Sequence, residues 1–124
     1  MNKQQKARVR AWVKKLKSAD YPKLKNEQRS DDGKRFCAVG MVIESYRRAN
    51  GLKWYKEGSF RWVLNSRDLD MIGIPIGLID WLGIDNYMLH AIAWMNDGVI
   101  NHPKAWSYKR IAWYIENHVL TDGK

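Results

Sequence analysis

The sequence predicts an α+β fold, a mostly helical single domain with a small β-hairpin. Five segments carry helix signals, while an aromatic and β-branched stretch over residues 52–64 is typical of two strands joined by a turn. The 124 residues fit one domain, 1–124. With 45% apolar residues, such a chain can bury a core without disulfides or a metal.

The first predicted helix spans Ala7–Ala19 and ends because the residue before Pro22 is pushed away from helical geometry. Its apolar stripe recurs at i, i+3, i+4 and i+7, as Val9, Trp12, Val13 and Leu16. The other faces are cationic and form a predicted basic face of Lys6, Arg10, Lys14 and Lys17. A single stripe favours docking on the protein's own core over a membrane-surface role.

A polar segment and a second helix follow. Residues 23–35 are irregular, with a turn at residues 30–33 and a short strand expected on either side of it. A central buried helix is predicted over Phe36–Ala49, where Gly40 allows a neighbouring element to approach closely. Gly51 suits the left-handed cap at its end.

The hairpin is predicted from Leu52–Tyr55 and Phe60–Leu64, with a turn around Glu57–Ser59. A two-stranded ribbon is marginal alone, so it must pack on helices or pair with another chain.

Three helices complete the chain. One spans Pro75–Leu82, with proline in its first turn, and the next spans Asn86–Met95, with Asp85 as its cap. The last begins after the cap Ser107, and its buried stripe is Tyr108, Ile111, Ala112, Ile115 and Val119.

The net charge of +9 is unevenly distributed. Residues 1–35 hold twelve Lys/Arg and four acids, a balance of +8, and the remaining residues hold ten and nine, a balance of +1. A field of this kind favours an anionic partner such as nucleic acid, a nucleotide, an anionic membrane or an acidic protein face. The alternative is a solubilising face without a partner.

Targeting features predict a soluble, unexported protein of the cytoplasm, which for a phage protein is the host cytoplasm. The N-terminus lacks an apolar signal-peptide core, and the longest apolar run, residues 71–84, is too short to span a bilayer. The single cysteine, Cys37, forms no internal disulfide and points to a reducing compartment.

No catalytic set converges, so we predict a protein that is not an enzyme and holds no cofactor. The histidines at positions 90, 102 and 118 are scattered, which argues against a metal site. Cys37 near a helix start could be a reactive thiol, but its apolar neighbours favour a buried structural residue. No pair of carboxylates stands out as a catalytic pair, and the sequence contains no phosphate-binding loop.

Two pairs of residues are candidates for ligand contact. Asn96 and Asp97, placed after the helix that ends at Met95, either form a turn with Gly98 or point polar groups at a ligand. Trp54 and Trp62 lie among cations and either pack or stack on a base.

The candidate residues for binding an anion are four cations, Arg29, Arg35, Lys109 and Arg110. The last two lie in the first turn of a helix, where the helix dipole disfavours cations, and this placement hints at a nearby anion.

The order of short motifs along the chain resembles a family of small phage and bacterial proteins. The motifs are Trp12-Val13-x-x-Leu16, Cys37-x-x-Gly40, Trp81-Leu82-Gly83, Asn96-Asp97, and Ser107-Tyr108-x-x-Ile111-Ala112-x-x-Ile115-Glu116. They cover nearly the whole chain, and the last two are the most specific. The chain is also similar to the Thoeris anti-defence sponge proteins, which bind a cyclic ADP-ribose-type signal of a bacterial immune system and so silence it.

The resemblance implies a non-enzymatic phage protein, an α+β homo-oligomer with pockets between protomers, in which Asn96 and Asp97 contact a phosphorylated cyclic nucleotide signal. The chain departs from that family's pattern in three ways: a longer gap before Tyr108, Arg110 in place of an acid, and Ala38 in place of a frequent second cysteine. The alternatives are a nucleic-acid-binding protein that uses the basic first helix, and a protein inhibitor of a host defence enzyme.

Overall fold

The computed structural model describes residues 1–58, 61–66, 68–98 and 105–120, and within them it confirms a mostly helical α+β fold with one hairpin. Helix α1 spans Lys3–Ser18 and begins about a turn earlier than predicted. The reason is a capping box, in which the side chains of Asn2 and Gln5 each accept a hydrogen bond from the other's backbone N–H.

Helix α2 spans Ala38–Asn50 and lies at the centre of the core. Cys37 caps its start, and Gly51 ends it in the left-handed region at φ 65°, as the sequence indicated. The strands predicted on either side of the 30–33 turn are wrong. A single bridge, Arg29 with Phe36, forms instead, because Ser30 and Asp32 take the backbone N–H groups of the turn with their side chains.

The predicted hairpin is present and antiparallel. Strand β1 spans Trp54–Glu57 and β2 spans Arg61–Leu64, with Trp54 opposite Leu64. Ser59 and Phe60, predicted in the turn and the second strand, lie outside the described residues.

Helix α3 spans Gly77–Leu82, two residues shorter than predicted because Pro75 pairs with Leu69 in a bridge. Helix α4 spans Asn86–Asp97, with Asp85 as its cap as predicted. It runs two residues further than expected, so Asn96 and Asp97 form its last turn before Gly98.

Helix α5 spans Tyr108–His118 and is capped by Ser107, as predicted. It packs on α1, which also contacts α2 and α3, while α4 packs on α2 and α5. The indole N–H of Trp12 donates to the Ala38 carbonyl at 2.8 Å and joins α1 to the start of α2. Within the described ranges, no helix combines the length and apolar character needed to cross a bilayer.

Candidate ligand-binding site

The sequence motifs converge on one irregular segment, residues 24–28. Both backbone groups of Leu24 are held: its N–H donates to the Tyr108 hydroxyl oxygen at 3.2 Å, and its carbonyl accepts from Asn96 Nδ2 at 2.8 Å. The Tyr108 hydroxyl in turn donates to the Phe36 carbonyl. The Asn-Asp and Ser-Tyr motifs therefore fix the same stretch of chain from two helices.

The Cys-x-x-Gly motif acts on the same segment. Cys37 Sγ accepts from the Gly40 N–H at 3.3 Å and caps α2. A Cβ at position 40 would lie 1.9 Å from the Gln28 carbonyl oxygen, so only glycine lets the 24–28 segment approach the helix this closely.

Asp97 holds the 24–28 segment through the backbone of Asn26. Asn26, in the left-handed region at φ 63°, donates its N–H to Asp97 Oδ1 at 2.9 Å. Asn96 Nδ2 donates to the same oxygen at 2.9 Å. Among the described residues the hydrogen bonds of Asp97 fall on Oδ1, which leaves Oδ2 with acceptor capacity.

A cavity of about 330 Å³ lies between the 24–28 segment, β2, the loop at 71–74 and α4. Its volume falls at the lower end of the range for small-molecule sites. The side chains that matter for its chemistry are Gln28, Cys37, Arg61, Trp62, Trp94 and Asp97.

Gln28, one of the residues that line this cavity, carries an unsatisfied acceptor. Its Nε2 donates to the Ile72 carbonyl at 3.0 Å, which fixes the orientation of the amide. Its Oε1 is buried without a hydrogen-bond partner among the described residues. An orphaned buried acceptor costs about 1–3 kcal/mol, and a molecule in the cavity that supplied an N–H or O–H to this atom would offset that cost.

Trp62 is held by charged neighbours at the edge of the hairpin. The Arg29 guanidinium lies 4.1 Å from the ring centroid, and the indole N–H donates to Asp31 at 2.8 Å. Hydrogen bonds from Lys56 and then from Trp62 lower the pKa of Asp31. The indole is therefore fixed in place before any ligand arrives.

The cavity offers no activated nucleophile among the described residues. Burial raises the pKa of Cys37 to about 12, so the thiol stays protonated, as expected of a structural cysteine. The nearest histidine along α4, His90, bonds Asp70 at 2.7 Å and is not part of the cavity lining. Within the same residues, no group of three His, Cys, Asp or Glu side chains is arranged to hold a metal.

The structure brings only part of the predicted site together. Asp97 and Trp62 line the cavity, and Arg29 covers the Trp62 ring. Asn96 is 0% exposed and its amide bonds Leu24, Ala38 and Asp97, so it supports the wall and leaves no surface for a ligand. We therefore assign Asn96 to the support of the cavity wall.

The other predicted contacts lie elsewhere. Trp54 donates to Glu44 and packs on Phe36. Arg110 stacks on Trp106 at 4.1 Å. Neither of these residues lines the cavity, nor do Arg35 and Lys109.

Three cavity residues, Trp94, Gln28 and Arg61, are not among the candidates that the sequence indicates. Trp94 lies three residues before Asp97, and because α4 extends to Asp97, this spacing places both side chains on one face of the helix. Gln28 and Arg61 carry no local signal, because tertiary contacts alone bring them to the cavity.

The chain belongs to DUF8296, a family defined by a domain of unknown function, which it matches over residues 1–97. The match includes α1 to α4 and every residue that lines the cavity, whereas α5 lies beyond it. No curated protein and no solved structure matches the chain.

Proposed function

We propose that the protein is a non-enzymatic binding protein that holds a phosphorylated, nucleotide-like molecule in this cavity. The observation that carries the proposal is that one cavity is lined by Gln28, whose Oε1 is buried without a partner among the described residues, by Asp97, whose Oδ2 keeps acceptor capacity, and by the indoles of Trp62 and Trp94. Two acceptors suit the amine and ring N–H donors of a nucleobase, or the hydroxyls of a ribose.

The rest of the cavity supports the same class of molecule. Trp62 and Trp94 offer aromatic surface against which a planar base can stack. Arg61 bonds Glu57 and the Met71 carbonyl, and its five N–H groups leave donors for a phosphate. Arg29, on the Trp62 ring, adds a second cation.

Sequestration without turnover is the activity we propose. The thiol of Cys37 is protonated, and the carboxylate of Asp97 accepts two hydrogen bonds from the protein. These states favour a role in ligand binding over a role in catalysis. In a phage, a protein that holds a nucleotide signal in this way would act as an anti-defence factor, the role that the resemblance to sponge proteins implies.

Isothermal titration tests the proposal, with AMP, cyclic AMP, cyclic GMP and cyclic ADP-ribose isomers as probes. We expect at least one probe to bind, to be recovered unchanged, and to bind at least about tenfold more weakly to Gln28→Met, because the variant loses the proposed hydrogen bond to the ligand as well as the bond to the Ile72 carbonyl. Gln4→Met, on the exposed face of α1, is the matched control and should bind as the wild type does. Absence of heat with every probe would overturn the proposal.

A further inference from the structure

We propose that the protein has a second binding surface, on α1, which holds the phosphate backbone of double-stranded nucleic acid. The surface, here called the α1 stripe, consists of Lys3, Lys6, Arg10 and Lys14. None of the cavity-lining residues lies on α1, so this surface is independent of the proposed nucleotide site.

The charge of α1 is the first observation. Its 16 residues include seven Lys or Arg and no Asp or Glu. Like charges four residues apart destabilise a helix, each pair by about 0.2–0.5 kcal/mol. Lys3 and Lys6 also lie at the N-terminal end, where the helix dipole disfavours cations. A bound polyanion would offset both costs.

The folded chain separates these seven cations into two groups. Arg8 donates to the Trp81 carbonyl at 2.8 Å, Lys15 to Ser45 at 2.6 Å, and Lys17 to Glu116 at 2.9 Å. Among the described residues, none provides an ion pair or a side-chain hydrogen bond to the four cations of the α1 stripe. The basic face predicted from the sequence therefore loses Lys17 to an ion pair and gains Lys3.

The geometry of the α1 stripe matches an extended anion. Spacings of three, four and four residues keep the four side chains within about 80° of the helix circumference, over about 16 Å of axis. Each strand of a duplex carries one negative charge per about 3.4 Å of helix axis, so a backbone alongside the α1 stripe offers about one phosphate to each cation. Glu116, the carboxylate of the adjoining α1–α5 groove, is already paired with Lys17.

The surroundings of the α1 stripe favour nucleic acid over an acidic protein. Protein interfaces are anchored by buried aromatic or aliphatic side chains. The large apolar residues exposed in the described structure are Tyr55, Met71, Ile76, Tyr87 and Trp113, and none of them lies on α1. The α1 stripe has cations but no apolar anchor on its helix, and this composition favours binding to the phosphates of nucleic acid.

Fluorescence anisotropy with a 20-base-pair duplex between 50 and 200 mM NaCl tests this proposal. Four phosphate contacts predict a slope of log K against log salt of about −3.6, equivalent to roughly a 150-fold loss of affinity across the range. The variant Lys3→Gln/Lys6→Gln/Arg10→Gln/Lys14→Gln should bring the slope close to zero. It should still fold, because it relieves repulsion within α1.

The matched control removes the same charge from other exposed positions, as Lys25→Gln/Lys34→Gln/Lys53→Gln/Lys109→Gln. We expect it to keep a slope within about one unit of the wild type. Three results would overturn the proposal: no binding at 50 mM NaCl, equal losses in both variants, or binding to polyglutamate without binding to the duplex.

Discussion

Gly40 shows how one residue sets the position of the 24–28 segment. The Cβ of Gly40→Ala would overlap the Gln28 carbonyl oxygen, a backbone atom that has no rotamer with which to move away. We expect a loss of about 2–3 kcal/mol in the free energy of unfolding. We also expect weaker ligand binding, because Gln28 is displaced. Urea unfolding and titration measure the two effects.

Gly51 provides the control for that substitution. A Cβ there meets no atom within 4 Å, but φ is +65°. Gly51→Ala should therefore lose about 1 kcal/mol from the left-handed conformation alone and keep ligand binding unchanged. Equal effects of the two alanines on binding would show that the contact between Gly40 and Gln28 does not shape the cavity.

At the scale of single residues, the sequence does not predict the surroundings of Asn96. The sequence indicates Asn96 as a candidate for ligand contact, whereas the folded chain buries its side chain. Its side-chain amide forms hydrogen bonds with the backbone of Leu24 and Ala38. Both residues are distant from Asn96 in sequence, so only the tertiary fold brings them together. Asp97, its neighbour, does face the cavity. The sequence has no means to distinguish two adjacent polar residues on different faces of one helix turn.

Among the elements, the hairpin is attached to α2 through Glu44. This carboxylate accepts hydrogen bonds from Arg47 and Arg48 on its own helix and from the indole N–H of Trp54 on β1. Burial alone would raise the pKa of Glu44, but the bonds from Arg47, Trp54 and Arg48 together lower it to about 2. Trp54 is thus a structural anchor of the hairpin.

This link predicts a pH dependence of stability. The pKa of Glu44 in the folded protein lies below its unfolded value near 4.5. Its contribution to the free energy of unfolding is therefore complete above pH 4.5 and is lost as the pH falls towards 2. Between pH 5 and 2 the wild type should lose about 2 kcal/mol more than Glu44→Gln, measured by urea unfolding. Asp68→Asn, at an exposed carboxylate, should keep the wild-type profile, and a profile unchanged by Glu44→Gln would contradict the assignment.

Element types followed from the sequence, whereas several boundaries did not. Apolar spacing placed α1, α2 and α5, because their buried stripes are long and regular. The early start of α1 depends on reciprocal bonds of Asn2 with Gln5, and the late end of α4 on the cap at Gly98. These are local geometries that periodicity alone does not encode.

In the whole molecule, five of the motif residues act as one unit. Cys37 and Gly40 position the start of α2, while Asn96, Asp97 and Tyr108 hold the 24–28 segment. The sequence could therefore mark the residues that build the cavity wall. It could not mark Gln28 or Arg61, because the fold brings their side chains to the cavity from unremarkable polar stretches.

The most direct test of the account locates a bound ligand by NMR. The seven tryptophans each give one indole N–H resonance, which single substitutions can assign. During titration with the probe that gives heat in calorimetry, we predict that the Trp62 and Trp94 resonances move while that of Trp12, buried against Ala38, does not. Shifts confined to Trp113, or no shift at saturating probe, would contradict the claim that the cavity beside the 24–28 segment is the binding site.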